Sequence, residues 1–315
     1  MPELKKCEVC GIEIPADYQN LLCDDCYGLA EEENKRLEGL AEGERRNTQE
    51  VPESSPEAKS EPIQGITDPN YQTNPEKEDK EQWETNIVQF KKTGVILWHP
   101  TKNMYNFIKN YCLTKVQRHI QFPKYNWRPK IVDVGCGIGV GTNILSNEAD
   151  FAWGIDKNAN SIKFAEQCFT RVKNGIYYSA QVSFDKMDIM TDTREFMKFD
   201  VVVAIEIIEH IENATEFIKI LINKFTKKKK DGSYITEDPT EFFISTPNRN
   251  NPRIQKDRPK NSYHVREWTS AEFYDMLSKF FQEVEFFNSD GEPVPTSEYR
   301  TTEFTPILAK ASLPR

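Results

Sequence analysis

The chain has 315 residues, 37% hydrophobic and 29% charged, with a formal net charge of −9. That length supports one sizeable core plus a small accessory module, and the polarity leaves part of the chain short of what a core needs. The acidic balance excludes a general attraction to nucleic acid or anionic membrane surfaces, no apolar run is long enough to span a bilayer, and the opening MPELKKCEVC has no apolar signal core, so a cytoplasmic chain is expected.

In chain order, three zones are expected: a cysteine module over 1–28, a flexible acidic linker over 29–80, and a folded domain over 81–315. The first zone reads CEVCGIEIPADYQNLLCDDCY, which is C-x₂-C, twelve residues, then C-x₂-C. In a reducing compartment such spacing means metal ligands rather than disulfides. Cys7, Cys10, Cys23 and Cys26 suit a tetrahedral structural Zn²⁺ site, a small zinc ribbon, and spacing leaves a rubredoxin-type iron open. Glu3, Glu8, Glu13, Asp17, Asp24 and Asp25 outweigh Lys5 and Lys6, so a protein partner or plain stapling is favoured over phosphate binding. The linker is rich in Glu, Pro, Ser and Asn, with Tyr71 its one aromatic, and only its first part, LAEEENKRLEGLAEGERR, has charges at helical spacing.

From Trp83 onward aromatics and aliphatics return. The segment before the core has helical apolar spacing from Met104, and Trp98 and His99 read as packing residues. Strand-like and helix-like stretches then alternate. KIVDVGCG (130–137) is a strand followed by a helix from about Gly139, FAWGID (151–156) a strand followed by a helix over NANSIKFAEQCF, and QVSFDKMD (181–188) a third strand. FDVVVAIEI (199–207) is a fourth, with a helix over NATEFIKILINKF, and EFFISTPN (241–248) a fifth. A helix over TSAEFYDMLSKFF opens with Thr269 and Glu272 at capping-box spacing, before VEFFN (284–288) and a last apolar stretch near 303–311. Such alternation predicts an α/β fold with a mostly parallel, doubly wound sheet. Cys112, Cys136 and Cys168 read as small packed residues.

The first strand runs into VDVGCGIGVGT, where Gly135, Gly137 and Gly139 allow a tight turn and close approach of a ligand. A dinucleotide pattern would place its third glycine at Val140, and no Gly-Lys-Ser/Thr follows to make a phosphate loop. The pattern D-x-G-x-G-x-G resembles motif I of the class I S-adenosylmethionine-dependent methyltransferases, and the resemblance covers about 128–288. It implies their Rossmann-like seven-stranded sheet and their cofactor, S-adenosyl-L-methionine. Asp133, Gly135, Cys136, Gly137 and Gly139 would then form the cofactor loop, Asp156 with adjacent Lys157 the ribose site, Asp188 and Ile189 the adenine site, and Glu206 the methionine end. The competing reading is that each acid merely caps the next helix.

The fourth strand delivers VVVAIEIIEHIEN, with Glu206, Glu209 and His210 at the edge where a methyl donor would lie. The group can be a positioning cluster, or a cation site, since two carboxylates and an imidazole suit Mg²⁺, Mn²⁺ or Zn²⁺. E-x-x-E-H here resembles the ubiquinone-pathway O-methyltransferases and the small-RNA 3′-terminal 2′-O-methyltransferases, which implies a cation held against neighbouring hydroxyls. His264, before Glu267-Trp268-Thr269, would be its fourth ligand. A hydroxyl needs a base such as His210 or His264, with Glu206 beside it, or a metal that lowers its pKa.

The loop PNRNNPRIQKDRPKNSYHVR (247–266) suggests a lid or an anion-binding wall through Arg249, Arg253, Lys256, Arg258 and Lys260, or a solvated loop. KFTKKKKDG (224–232) reads as a solvated turn at the opposite sheet edge. The expected function is O-methylation of a sugar or other small hydroxylated metabolite. RNA 3′-terminal 2′-O-methylation is second, disfavoured by the acidity, and a noncatalytic interaction protein is third.

Overall fold

The computed structural model describes the strands Leu4–Lys6 and Glu13–Pro15 and the chain from 99 onward, apart from residues 121–127, 171, 174–175, 178–180, 255–258, 260 and 262. The chain divides into two units, Met1–Val95 and Ile96–Arg315. In the first, Leu4–Lys6 pairs antiparallel with Glu13–Pro15, Leu4 opposite Pro15. Cys7, Cys10, Cys23 and Cys26 lie outside the described residues, as do the linker and Trp98.

The second unit is built on β1 (Lys130–Val134), β2 (Phe151–Asp156), β3 (Gln181–Lys186), β4 (Val201–Ala204), β5 (Glu241–Thr246), β6 (Phe281–Phe287) and β7 (Ile307–Pro314). Their order is β6-β7-β5-β4-β1-β2-β3. β3, β2, β1, β4 and β5 run parallel, and β7 is inserted antiparallel between β5 and β6. The winding reverses between β1 and β4, which opens a crevice beyond their carboxyl ends. Short Val172–Lys173 and Ile176–Tyr177 form a small hairpin that the sequence did not announce.

Period-two alternation sends each strand's side chains to two apolar layers. Val132, Val134, Val202, Ala204, Phe242 and Ile244 belong to one layer, together with Phe217, Leu221 and Phe225 of α4 (Ala214–Phe225) and Phe273 and Leu277 of α5 (Ser270–Leu277). Ile131, Val201, Val203, Phe243 and Leu308 belong to the other, with Met104, Tyr105 and Ile108 of α1 (His99–Ile120) and Leu145 of α2 (Val140–Ser146). Besides Ala214, the large apolar side chains Phe217, Ile218, Leu221, Ile222 and Phe225 of α4 are buried in one stripe, each worth about 1.5–3 kcal/mol. α3 (Ala159–Phe169) starts at Asn158, whose side chain accepts from Asn160 and Ser161 N–H, and α5 starts in the expected Thr269–Glu272 capping box. Cys112, Cys136 and Cys168 are buried thiols. Among the described residues, no helix is long and apolar enough to cross a membrane.

Several boundaries differ from the sequence reading. β4 stops at Ala204 rather than at residue 207, because Glu206 takes a left-handed φ of 53° that no strand accommodates. α5 ends at Leu277, and β6 begins at Phe281 rather than Val284. Phe281 is fully buried opposite Pro314, so sheet burial overrides the helical spacing. β7 runs over Ile307–Pro314, later than the expected 303–311, and α1 already begins at His99. The lysine run is not simply solvated. Lys227 pairs with Asp200 at 2.9 Å and Asp238 at 2.8 Å, Lys228 covers the Tyr234 ring, and Lys229 pairs with Glu237.

Candidate active site

The parallel register sets the carboxyl ends of β1 to β5 at one edge, with Val134 opposite Ile155, Asp156 opposite Lys186 and Ala204 opposite Ile244. The glycine loop, Asp156, Asp188 and the Glu206–His210 turn stand at or just beyond these ends. The glycine loop is laid over β2. Gly135 and Cys136 N–H both donate to the Ile155 carbonyl at 2.8 and 3.1 Å, and Gly137 N–H donates to Asp156 Oδ2 at 2.9 Å. A Cβ on Gly139 would lie 2.6 Å from Ala165 and 2.7 Å from Phe184, and φ is +84° there, so only glycine lets the loop enter α2. Gly137, at φ +53°, differs, since a Cβ there would meet nothing within 4 Å. Space therefore remains in front of Gly137 for a ligand to reach the backbone.

Asp156 Oδ1 accepts from Asn158 N–H at 2.8 Å. The cap of α3 is Asn158, so capping does not account for Asp156. Asp156 thus accepts a backbone N–H on each carboxylate oxygen, which fixes the side chain at the end of β2 beside the glycine loop. Asp188 is exposed, with Oδ1 accepting from Met190 N–H, while Ile189 is 7% exposed and packs with Val134, Ile155 and Met187 in the core layer. Asp133 points the other way. It is fully buried, and Tyr105 Oη (3.0 Å) and Thr142 Oγ1 (2.7 Å) donate to its carboxylate, which ties α1 and α2 under the loop. Burial raises its pKa to about 7, against the pull of those two hydroxyls. Asp133 thus supports the loop from beneath rather than facing a ligand.

Beyond β4 the chain turns at Glu206 into a short 3-10 turn, Ile208–His210. Ser245 on β5 locks the turn: its Oγ accepts from Glu206 N–H at 2.9 Å and donates to the Glu206 carboxylate at 2.8 Å. Burial raises Glu206 to about 7, with a smaller contribution from Glu267. Glu209 is 1% exposed, and neither of its carboxylate oxygens has a hydrogen-bond partner. Burial, then the Glu206 carboxylate, pushes its pKa well above the usual range. The neighbouring Thr246 hydroxyl opposes this weakly without making a hydrogen bond. The Glu209 backbone carbonyl accepts from Val265 N–H (2.9 Å) and Arg266 N–H (3.3 Å), which brings the 264–266 segment against the turn.

That contact sets the two imidazoles edge to face, with centroids 4.9 Å apart. His210 Nδ1 lies 2.9 Å from the Tyr263 carbonyl. A carbonyl only accepts, so Nδ1 carries the proton and Nε2 keeps a lone pair. Burial and the nearby His264 lower the His210 pKa to about 4, so the ring is neutral. His264 Nδ1 donates to Glu267 Oε1 at 2.8 Å. Glu209, His210 and His264 each offer a ligand atom, all within 4.8 Å of one another. Glu206 stays bonded to Ser245, so three of the four predicted ligands converge and the fourth stands beside them. Glu267 Oε2 is also buried without a partner. Orphaned carboxylate oxygens beside two imidazoles fit a divalent cation.

Arg249 is committed to Glu272, at 2.8 and 3.0 Å, so it is not part of an anion-binding wall. Lys256, Arg258 and Lys260 lie outside the described residues. The sequence reading missed Ser245, Tyr105 and Thr142. A serine inside the fully buried strand EFFIST was the one available signal for Ser245.

Residues 128–311, more than half of the chain, match the family described as "Methyltransferase domain". The chain belongs to the methyltransferase domain family. Phosphoethanolamine N-methyltransferase 1 of Arabidopsis thaliana is 23% identical over 248 residues, 64% of this chain and 48% of that protein. A ubiquinone biosynthesis O-methyltransferase of Glaesserella parasuis serovar 5 is 31% identical over 122 residues, 38% of this chain and 46% of that protein. The chain thus spans about half the length of these curated relatives. The plantazolicin methyltransferase BpumL, solved with a desmethylPZN analog and SAH, is 16% identical, with a TM-score of 0.49 over 77% of this chain and 91% of that one.

Proposed function

We propose that this methyltransferase domain transfers a methyl group from S-adenosyl-L-methionine to a hydroxyl of a small acceptor with neighbouring hydroxyls, a sugar or other hydroxylated metabolite. The observation that carries the reading is Glu209: a buried carboxylate with two unpartnered oxygens, beside two imidazoles at the carboxyl edge of the sheet.

Gly135, Gly137 and Gly139 would cradle the cofactor, Asp156 with Lys157 would take the ribose, Asp188 and Ile189 the adenine, and Glu206 the methionine end. When bound, S-adenosyl-L-methionine supplies an electrophilic methyl carbon, and the chain needs only to align and deprotonate the nucleophile. Glu209, His210 and His264, with Glu206 adjacent, would hold Mg²⁺ or Mn²⁺, which when bound lowers the pKa of a hydroxyl and favours a pair of them. His210 carries no proton on Nε2 and His264 carries its own on Nδ1, so neither donates into the site. Ile205 in one apolar layer and Ile208 in the other are both buried and keep water from behind the turn.

The N-terminal unit is read as a Cys₄ zinc module for a protein contact, supported by the cysteine spacing and by the strand pairing on either side of the first cysteine pair in sequence. The protein's acidity favours small acceptors over RNA. The test is transfer from tritiated S-adenosyl-L-methionine into fractionated cell extract, with and without Mn²⁺. Mn²⁺-dependent label in the small-molecule or glycan pool is the expected result. Label in RNA that disappears when terminal diols are oxidised would overturn the acceptor class, and label indifferent to metal would overturn the cation.

A further inference from the structure

His264 is gripped from both sides. On one, Nδ1–H donates to Glu267 Oε1 at 2.8 Å; Glu267 is 5% exposed, and its other oxygen has no partner. On the other, Nε2 lies 2.9 Å from Asn261 Nδ2. The orientation of that amide is determined, because Asn261 Oδ1 accepts from Tyr263 N–H at 3.0 Å and so turns Nδ2 toward the ring. The tautomer is determined as well. A carboxylate accepts at Nδ1 and an amide N–H₂ donates at Nε2, so the lone pair is on Nε2 and Asn261 occupies it.

The same turn reaches the second imidazole. Asn261 O accepts from His264 N–H at 3.1 Å, and Tyr263 O accepts from His210 Nδ1. One short segment thus orients both rings.

We propose that Glu267 and Asn261 are opposed positioning residues for the cation: Glu267 fixes Nε2 of His264 as the nitrogen that carries the lone pair, and Asn261 caps that lone pair until the cation displaces it. This rests on the cation reading above. A carboxylate behind a ligating histidine fixes its orientation and raises its basicity. A neutral amide hydrogen bond at the ligating nitrogen must be given up for each cation bound, so it works against affinity.

The two side chains therefore make opposite predictions. Glu267→Gln keeps the shape and loses the charge, and it should weaken Mn²⁺ binding by about 10- to 100-fold. Asn261→Ser keeps an oxygen for Tyr263 N–H, in the way serine supports such turns, but is too short to reach Nε2. It should tighten Mn²⁺ by about 2- to 10-fold, the factor of one hydrogen bond no longer displaced. The measurement is a titration of the full-length chain with Mn²⁺, following the free-ion electron paramagnetic resonance signal in the presence of S-adenosylhomocysteine, with His264→Ala as background. Damage to the loop would weaken both variants, so opposite shifts are the expected signature. If the wild type binds and the variants move together, or either stays unchanged, the roles of Asn261 and Glu267 are overturned while the cation reading stands. A wild type that takes up no Mn²⁺ overturns the cation reading, and this proposal with it.

Discussion

Replacing Glu209 by leucine tests the site through the stability of the fold. Glu209 is 1% exposed, and both of its oxygens lack partners. A buried polar group without a partner costs about 1–3 kcal/mol, and exchanging a buried ion for an apolar side chain of similar volume is often neutral or stabilising. The backbone carbonyl that holds Val265 and Arg266 is untouched by the change. For a domain the size of Ile96–Arg315, about 1 kcal/mol corresponds to about 2–4 °C in Tm. Glu209→Leu should therefore melt about 2–12 °C above the wild type in metal-free buffer. With Mn²⁺ at about a thousand times its Kd the order should reverse, because the wild type then gains about 4.1 kcal/mol and the variant has lost a ligand. Differential scanning fluorimetry of both proteins, with and without Mn²⁺, reads the crossing directly. A variant that melts below the wild type without metal, or that keeps the full Mn²⁺ shift, refutes the reasoning.

Asp133 predicts a pH dependence. Burial raises it to about 7 in the folded state, above its unfolded value, so the stability it contributes is complete below about pH 4 and is lost as pH rises through 7. Urea unfolding of the wild type should thus weaken with rising pH more steeply than that of Asp133→Asn, and parallel slopes would contradict the assignment. Gly137→Ala should cost the fold only about 1–2 kcal/mol, for a left-handed alanine in open space. Its affinity for S-adenosylhomocysteine, by calorimetry, should nonetheless fall about tenfold or more, since the new methyl group stands where the cofactor approaches. An unchanged Kd would place the cofactor elsewhere. The full-length chain should carry about one zinc ion by mass spectrometry, lost on Cys7→Ser with Cys23→Ser. Iron in its place would exclude zinc, and metal retained by that double variant would exclude the Cys₄ reading.

β1 and β4 were legible as apolar, β-branched runs, and the first three strands by the glycine or acid that closes each: β1 before Gly135, β2 at Asp156, β3 just before Asp188. The site acids were legible for the same reason, since residues that follow successive strand ends must share one edge. The β6 boundary was not, because Phe281 continues the helical spacing of α5 and only its pairing with Pro314 assigns it to the sheet. Nor were the partners that tune the site. Ser245 meets Glu206 through the β4–β5 register, and Tyr105 meets Asp133 only once α1 lies across the sheet. The left-handed turn at Glu206 had no local signal, since glutamate has no preference for that conformation.

The place of β7 bears on how the domain is made. All six residues of β5 are buried, yet its neighbour on one side, β7, is synthesised after β6. While ribosomes translate the intervening segment, β5 presents a bare, apolar hydrogen-bonding edge, a template for pairing with another nascent chain. β6 cannot cover that edge, because its own partner is also β7. Delay or loss of this one strand would therefore expose two edges at once, and production of the domain should depend more on chaperones that shield nascent chains than its finished stability suggests.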